Sequence, residues 1–215
     1  MLEIQMATGR KPVAVADKTL LLLQARTGFV DVATGKQITP VGKPSVVTTQ
    51  KVFSELGSFD FRVGRVDIGT VSDFNFGASD EFTIEFWAWC TSTAAGMWFI
   101  SKGTGTTSCL KTYGDQLYLQ NEGSSKNVAT GSVIGLNRWT HFALVHKNGQ
   151  YVLFIDGVNR LSFTAATQGF GNPAQLLRIG GYEGPSLAYM DQIRVSRVAR
   201  YWGPGFPPSA VFTVD

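Results

Sequence analysis

The sequence predicts an all-β chain folded as a two-sheet antiparallel sandwich, and three observations carry that expectation. Apolar and polar residues alternate with a period of two in many short segments, helical periodicity is nearly absent, and turns rich in Gly, Asn and Ser recur between the segments. Composition agrees. Only 16% of the 215 residues are charged, below the usual quarter of a soluble domain, whereas Gly reaches 24 copies and Phe 15. So few charges and so many aromatics exclude a disordered chain, a coiled coil or a helical bundle.

The elements follow in order. Phe82 to Cys90 alternates cleanly: Phe82, Ile84, Phe86, Ala88 and Cys90 form a core face, while Thr83, Glu85, Trp87 and Trp89 form a second face, half-wet or covered by a loop. Thr140–Lys147 and Tyr151–Ile155 flank Asn148-Gly149, the pair best suited to the positive φ angles of a type I′ turn, and Asp156-Gly157 closes the next turn in the same way. Leu117–Gln120, Leu176–Ile179 and Tyr189–Val195 read as further strands between the clusters Asn121–Ser125, Gly169–Pro173 and Gly180–Pro185. That makes roughly ten or more short strands at sandwich-like intervals.

Thr19 to Asp215 reads as one domain because no linker divides it. Met1–Lys18 stands apart as a polar arm or added edge strand carrying Arg10-Lys11-Pro12, and the tail from Gly203 to Pro208 is extended, with Phe206 and Phe212 expected to pin it to the sandwich. Lys and Arg total 19 against 16 acidic residues, a net charge of +3 without basic blocks, so nucleic acid is not an expected partner. The longest apolar runs, Leu20–Leu23 and Phe86–Cys90, are too short to span a bilayer, and Met1–Lys11, with Glu3, Arg10 and Lys11, does not read as a signal peptide. Two cysteines, Cys90 and Cys109, are expected as free packed thiols.

Catalytic constellations are missing. Glycoside hydrolysis needs two carboxylates about 5–9.5 Å apart. Glu81 and Glu85 share a strand face at a separation of roughly 13 Å, with Thr83 between them. His141 and His146 are five apart in one strand and point to opposite faces. No Gly-x-Ser-x-Gly elbow and no phosphate-binding loop occurs. The expectation is a protein without enzymatic activity; a glycoside hydrolase is the remote alternative.

Asp80-Glu81-Phe82-Thr83-Ile84-Glu85-Phe86-Trp87 resembles the signature strand of laminin-G-like, concanavalin A-like jelly-roll domains. Its neighbours agree in order: Leu20-Leu21-Leu22, Ser58-Phe59-Asp60, Phe99-Ile100-Ser101, Trp139-Thr140-His141-Phe142, Leu153-Phe154-Ile155-Asp156-Gly157, Leu177-Arg178-Ile179-Gly180-Gly181 and Tyr189–Val195. The resemblance covers Thr19 to Asp215 and implies a jelly-roll sandwich. The string from Arg194 to Tyr201, ending in Phe206-Pro207-Pro208, is similar to a variant found in bacteriophage virion proteins. One departure is Asp60-Phe61-Arg62-Val63-Gly64, where the family usually has an aspartate-turn-glycine.

The resemblance implies two kinds of site. Relatives hold calcium at a loop rim, which singles out Asp31, Asp60 and Asp191; Asp191 shares the parity of Ile193 and Val195 and is expected to face inward. Turn amides or an arginine are expected to satisfy these carboxylates, so no metal and no cofactor is expected. Carbohydrate binding is the family's commonest role, and sugars are held by aromatic faces with nearby polar groups. Tyr118 and Gln120 lie opposite Leu117 and Leu119, and Tyr113, Asn121 and Tyr182 sit in adjoining turns, so these five are the expected glycan-binding residues, with Trp98 a further candidate. The other reading is that these aromatics cover the second sheet or pack against a neighbouring subunit. The expected function is that of a phage virion structural protein, a capsid decoration or accessory tail protein anchored by its N-terminal arm and adhering to host-surface glycans. Its expected partners are other virion proteins, further copies of itself and surface polysaccharide, and its expected location is the virion. A freestanding lectin-like module is the alternative.

Overall fold

The computed structural model describes residues 18–53, 57–92, 97–102, 108–114, 116–121, 124–127, 134–165, 169–182, 186–203 and 211–214. The chain is all-β, as predicted. Its strands are β1 (Thr19–Leu23), β2 (Ile38–Gly42), β3 (Ser45–Val47), β4 (Ser58–Asp60), β5 (Gly64–Ile68), β6 (Phe82–Cys90), β7 (Trp98–Ser101), β8 (Cys109–Tyr113), β9 (Gln116–Asn121), β10 (Ser124–Asn127), β11 (Trp139–Lys147), β12 (Gln150–Ile155), β13 (Val158–Thr164), β14 (Leu177–Ile179) and β15 (Ala188–Ser196). A single 3₁₀ turn, Ala25–Thr27, is the only helical element among the described residues.

Two antiparallel sheets form the sandwich. The first runs β13-β12-β11-β6-β15-β4-β3, with β1 sharing the β15 edge with β4; the second runs β10-β9-β8-β7-β14-β5-β2. Neighbours in the sheet are mostly distant in sequence, and β6, β11 and β15 lie side by side. Alternation explains the core: Phe82, Ile84, Phe86, Ala88 and Cys90 of β6 are buried between the sheets with Phe142 and Leu144 of β11, Leu117 and Leu119 of β9, and Val66 and Ile68 of β5. The predicted hairpin is present, with φ of 51° at Asn148 and 71° at Gly149, and Asp156-Gly157 repeats it at 48° and 75°. Pro40 in β2 is tolerated because β2 is an edge strand.

One inward assignment is corrected. Asp191 pairs with Trp87 and therefore faces outward, whereas Ile193 and Val195 belong to the core. A bulge between Asp191 and Arg194, with Gln192 at φ 51°, inserts one residue and resets the parity of β15.

Part of the outer face of the first sheet, over β11 and β12, is covered by the chain's own C-terminal segment. Ala199 and Tyr201 pack on Ala143, Val145, Val152 and Phe154, and Phe212 is buried beside His141. Phe212 thus pins the tail as expected; Phe206 and the arm up to residue 17 lie outside the described residues. Arg197 donates its backbone N–H to the carbonyl of Lys18 at 2.8 Å, so both flanks of the sandwich meet beside β15.

Candidate functional site

The outer face of the second sheet gathers residues from strands that are remote in sequence. Register places Tyr118 beside Lys111 and Lys111 beside Trp98. A parallel row runs Gln120, Cys109, Ser101, Arg178 and Asp67 across β9, β8, β7, β14 and β5. Alternation turns these side chains away from the core, because Leu117, Leu119, Leu110, Leu177 and Ile179 occupy the inward positions.

Cations and rings interleave along this face. The Lys111 ammonium sits 4.3 Å from the Trp98 ring centroid, Trp98 and Tyr182 are 5.2 Å apart, and the Arg178 guanidinium lies 5.0 Å from the Tyr182 ring. Asp67 accepts from Arg65 Nε at 2.8 Å and stands 3.8 Å from Arg178 Nε, while Arg178 Nη2 donates to Gln175 at 3.2 Å. Arg178 Nε and Nη1 and Ser101 Oγ are buried without a hydrogen-bond partner among the described residues. Trp98 is only 6% exposed, so the partly exposed groups are Tyr118, Lys111, Tyr182 and Arg178, two rings and two cations that suit a hydroxyl-rich or acidic ligand.

Of the five residues expected from sequence, the structure brings Tyr118 and Tyr182 onto this one face. Tyr118 donates its hydroxyl to Gln116 Oε1 at 2.8 Å. Gln120 shares the face but is buried against the Cys109 thiol, so it does not line an open groove. The side chains of Tyr113 and Asn121 lie outside the described residues. Trp98 is the bridge between the two ends. Lys111 and Arg178 were not anticipated; for Arg178 the signal was the alternation of Leu177, Arg178 and Ile179, which makes the middle residue face outward.

The first sheet bears a different arrangement. Glu85, fully buried, accepts from Arg194 Nε at 2.8 Å and from Tyr201 Oη at 2.6 Å, with His141 Nε2 at 3.5 Å. Burial opposes ionisation of this carboxyl, but His141, Arg194 and Tyr201 outweigh it and hold its pKa below the ordinary value. The same clamp holds the tail: Thr83 Oγ1 donates to the Val198 carbonyl at 2.7 Å, Arg200 N–H donates back to Thr83 at 2.9 Å, and Arg194 Nη1 reaches the Thr213 carbonyl at 3.1 Å. Glu81 is partly exposed and pairs with Lys147 at 3.3 Å, so Glu81 and Glu85 face no common cleft. His146 packs inward on Phe82 and Tyr151, opposite His141, as their spacing predicts.

Beyond the clamp the outer face of the first sheet is aromatic. Trp139 pairs with Trp89 and Trp89 with Tyr189 across β11, β6 and β15, and the Arg62 guanidinium lies 4.4 Å from the Tyr189 ring. Arg62 is held by Asp60 through contacts of 2.9 and 2.7 Å, which keep the Asp60 carboxyl below its usual range.

The three aspartates singled out for calcium are each supplied with protein donors. Asp31 accepts from the backbone N–H groups of Leu22, Ala33, Thr34 and Lys36, Asp60 from Arg62, and Asp191 from the Ala25 N–H at 2.8 Å. Burial pushes the Asp191 carboxyl up. Among the described residues no three His, Cys, Asp or Glu side chains gather to hold a metal ion, and no helix is long and apolar enough to cross a membrane. Cys90 and Cys109 are free and buried, each thiol pushed up to about 12 by burial.

Comparison with known proteins identifies the fold. A family model described as the concanavalin A-like lectin/glucanases superfamily matches residues 64–202. The binding domain of Paraclostridial Mosquitocidal Protein 1 is similar with a TM-score of 0.68 at 14% identity, over 86% of this chain and 50% of that one. Domain 4 of AbnA, an extracellular GH43 arabinanase from Geobacillus stearothermophilus solved with arabinotriose, has a TM-score of 0.65 at 13% identity, over 85% and 94%. Botulinum neurotoxin type C, whose cell entry depends on interaction with two ganglioside molecules, has a TM-score of 0.62 at 16% identity, over 85% and 48%. The chain spans about half the length of the two toxin chains. At these identities the likeness is one of fold. No curated protein sequence matches at a significant level.

Proposed function

The chain belongs to the concanavalin A-like lectin/glucanases superfamily, and on that premise we propose that it is a non-enzymatic adhesion module of a bacteriophage virion, a capsid decoration or accessory tail protein that grips host-surface glycans. The observation that carries the glycan half is the face of Tyr118, Lys111, Tyr182 and Arg178 around the buried Trp98, which joins rings to hydrogen-bond donors, three of the four on strands and Tyr182 just after β14. Ganglioside dependence of a similarly folded toxin and arabinotriose bound to a similarly folded domain support the same ligand class. A binding role rather than hydrolysis is favoured because Glu85 is sealed in the tail clamp and Glu81 is tied to Lys147.

The virion half rests on the string from Arg194 to Tyr201 that is similar to phage virion proteins. Arg194, Arg200 and Tyr201 of that string fasten the tail over β6. Met1–Lys18 is the proposed anchor, adding a strand to a neighbouring subunit.

Two measurements test the reading. Retention on immobilised bacterial surface polysaccharides, neutral and acidic, should fall about tenfold in Tyr182→Ala and Lys111→Ala; failure of the unaltered protein to bind any of them removes the glycan half. Sedimentation of phage particles with and without residues 1–18 tests the anchor. Particles that never carry the protein leave the freestanding lectin-like module as the reading.

A further inference from the structure

The aromatic row of the first sheet lies on the opposite side of the sandwich from the face just described and shares no residue with it. Trp139, Trp89 and Tyr189 occupy successive strands at one register level, and Arg62 continues the row as a flat plate against Tyr189. At the usual strand spacing three neighbouring side chains cover about 10 Å, the span of roughly two sugar rings. The next level inward, His141 and Trp87, is covered by the chain itself through Phe212 and Phe53, whereas Trp89 and Trp139 touch each other edge-on at 6.1 Å and stay half-buried.

Size and charge decide what fits there. Trp89 and Trp139 are half-buried and Tyr189 is only 8% exposed beneath Arg62, so together the rings offer no more surface than a single fully exposed aromatic, at most about 200 Å². A stable protein interface needs about 800 Å² from each partner. The patch is therefore too small for a second copy of the chain and well matched to a short oligosaccharide. Its described charges cancel, since Arg62 and Asp60 pair at 2.7 Å, unlike the Lys111 and Arg178 face. The indole N–H of Trp139 is buried without a hydrogen-bond partner among the described residues, so stacking, not this donor, is what the row offers a ligand.

We propose that Trp139, Trp89, Tyr189 and Arg62 form a second carbohydrate subsite that takes an uncharged oligosaccharide of two or three rings by stacking. The module then holds glycans from two opposite faces, a neutral segment on one and a donor-seeking one on the other.

The test uses the whole chain and three uncharged probes, arabinotriose, maltotriose and cellotriose, followed by intrinsic tryptophan fluorescence. At least one probe should shift the emission with saturation, and Trp89→Ala and Trp139→Ala should each weaken that binding about tenfold. Trp89→Phe, which keeps a stacking ring, should stay within about threefold, and Val158→Ala, at an exposed residue that belongs to neither face's row, should leave it unchanged. Thermal melts check folding; if the alanine variants melt early, the exposed Arg62→Ala replaces them and should also weaken binding. No response to any probe, or equal loss in Val158→Ala and Trp89→Ala, overturns the second subsite. Polysaccharide retention that depends on Tyr182 stands or falls separately.

Discussion

Replacing Glu85 by Gln removes one negative charge from a site that water does not reach. Its carboxylate is fully buried and takes Arg194 at 2.7 and 2.8 Å and the Tyr201 hydroxyl at 2.6 Å. Arg194 is itself largely buried, with its side chain 8% exposed. Glu85→Gln therefore leaves a guanidinium without its counter-charge, a change that costs about 3–5 kcal/mol, while an isosteric side chain opens no cavity. Against a total stability of about 5–15 kcal/mol this is a large fraction, and for a chain of this size it lowers Tm by roughly 6–20 °C. Urea unfolding of both proteins at pH 7 measures it. The folded carboxyl titrates below its ordinary value, so its contribution is complete above that ordinary value and disappears as pH falls through the folded one. The difference between the two proteins should accordingly shrink in acid. A change below about 0.5 kcal/mol at pH 7, or a difference that does not depend on pH, would refute an ionised clamp.

Three further outcomes follow from single contacts. Lys102 is buried, donates to the carbonyls of Val71 at 3.1 Å and Gln175 at 2.8 Å, and burial lowers its pKa from 10.5 to about 8. The unfolded chain then holds that proton more tightly, so stability should rise with pH from about 8 toward 10.5, by at most about 1.4 kcal/mol per unit, and Lys102→Met should lack this rise in matched denaturation curves. Gly180 sits at φ 86° where an added Cβ would land on the Phe61 ring, so Gly180→Ala should destabilise by about 2–4 kcal/mol in urea, whereas Gly114→Ala, with open space, should cost only about 1. Cys90 and Cys109 should react with a thiol reagent only after denaturant is added; prompt labelling of the native protein would contradict their burial.

The two faces of β6 were legible because one strand with strict alternation, buried on one side by the opposite sheet, leaves a period in the sequence that nothing local disturbs. The Asn148-Gly149 and Asp156-Gly157 turns were legible for a similar reason: their backbone angles select the residues. Strands β2, β3 and β13 were not. They are edge strands exposed along much of their length, as the pattern of β13 shows, and burial imposes no alternation on them. Asp191 was assigned the wrong face because counting in twos assumes an unbroken ladder, and Gln192 at positive φ gives no glycine to warn of the bulge. The candidate site was half legible. Tyr118 and Tyr182 were singled out as aromatics near turns, but Lys111 and Arg178 are isolated basic residues whose meaning appears only when register sets them beside Trp98 and Tyr182. Gln120 shows the converse: correct parity placed it outward, yet it is buried, with its amide oxygen against the Cys109 thiol.

The hydrogen bond between Lys18 and Arg197 has a mechanical corollary. Both flanking segments depart from one corner of the sandwich and are stitched to the same strand, since β1 pairs with β15 and the tail is clamped through Arg194. Traction applied through either flank is therefore delivered first to β15, the strand wedged between β6 and the β1/β4 edge, and not to the strands β7, β8, β9 and β14 that carry Trp98, Lys111, Tyr118 and Arg178. A pull on either flank thus strains the first sheet while the opposite layer keeps its shape.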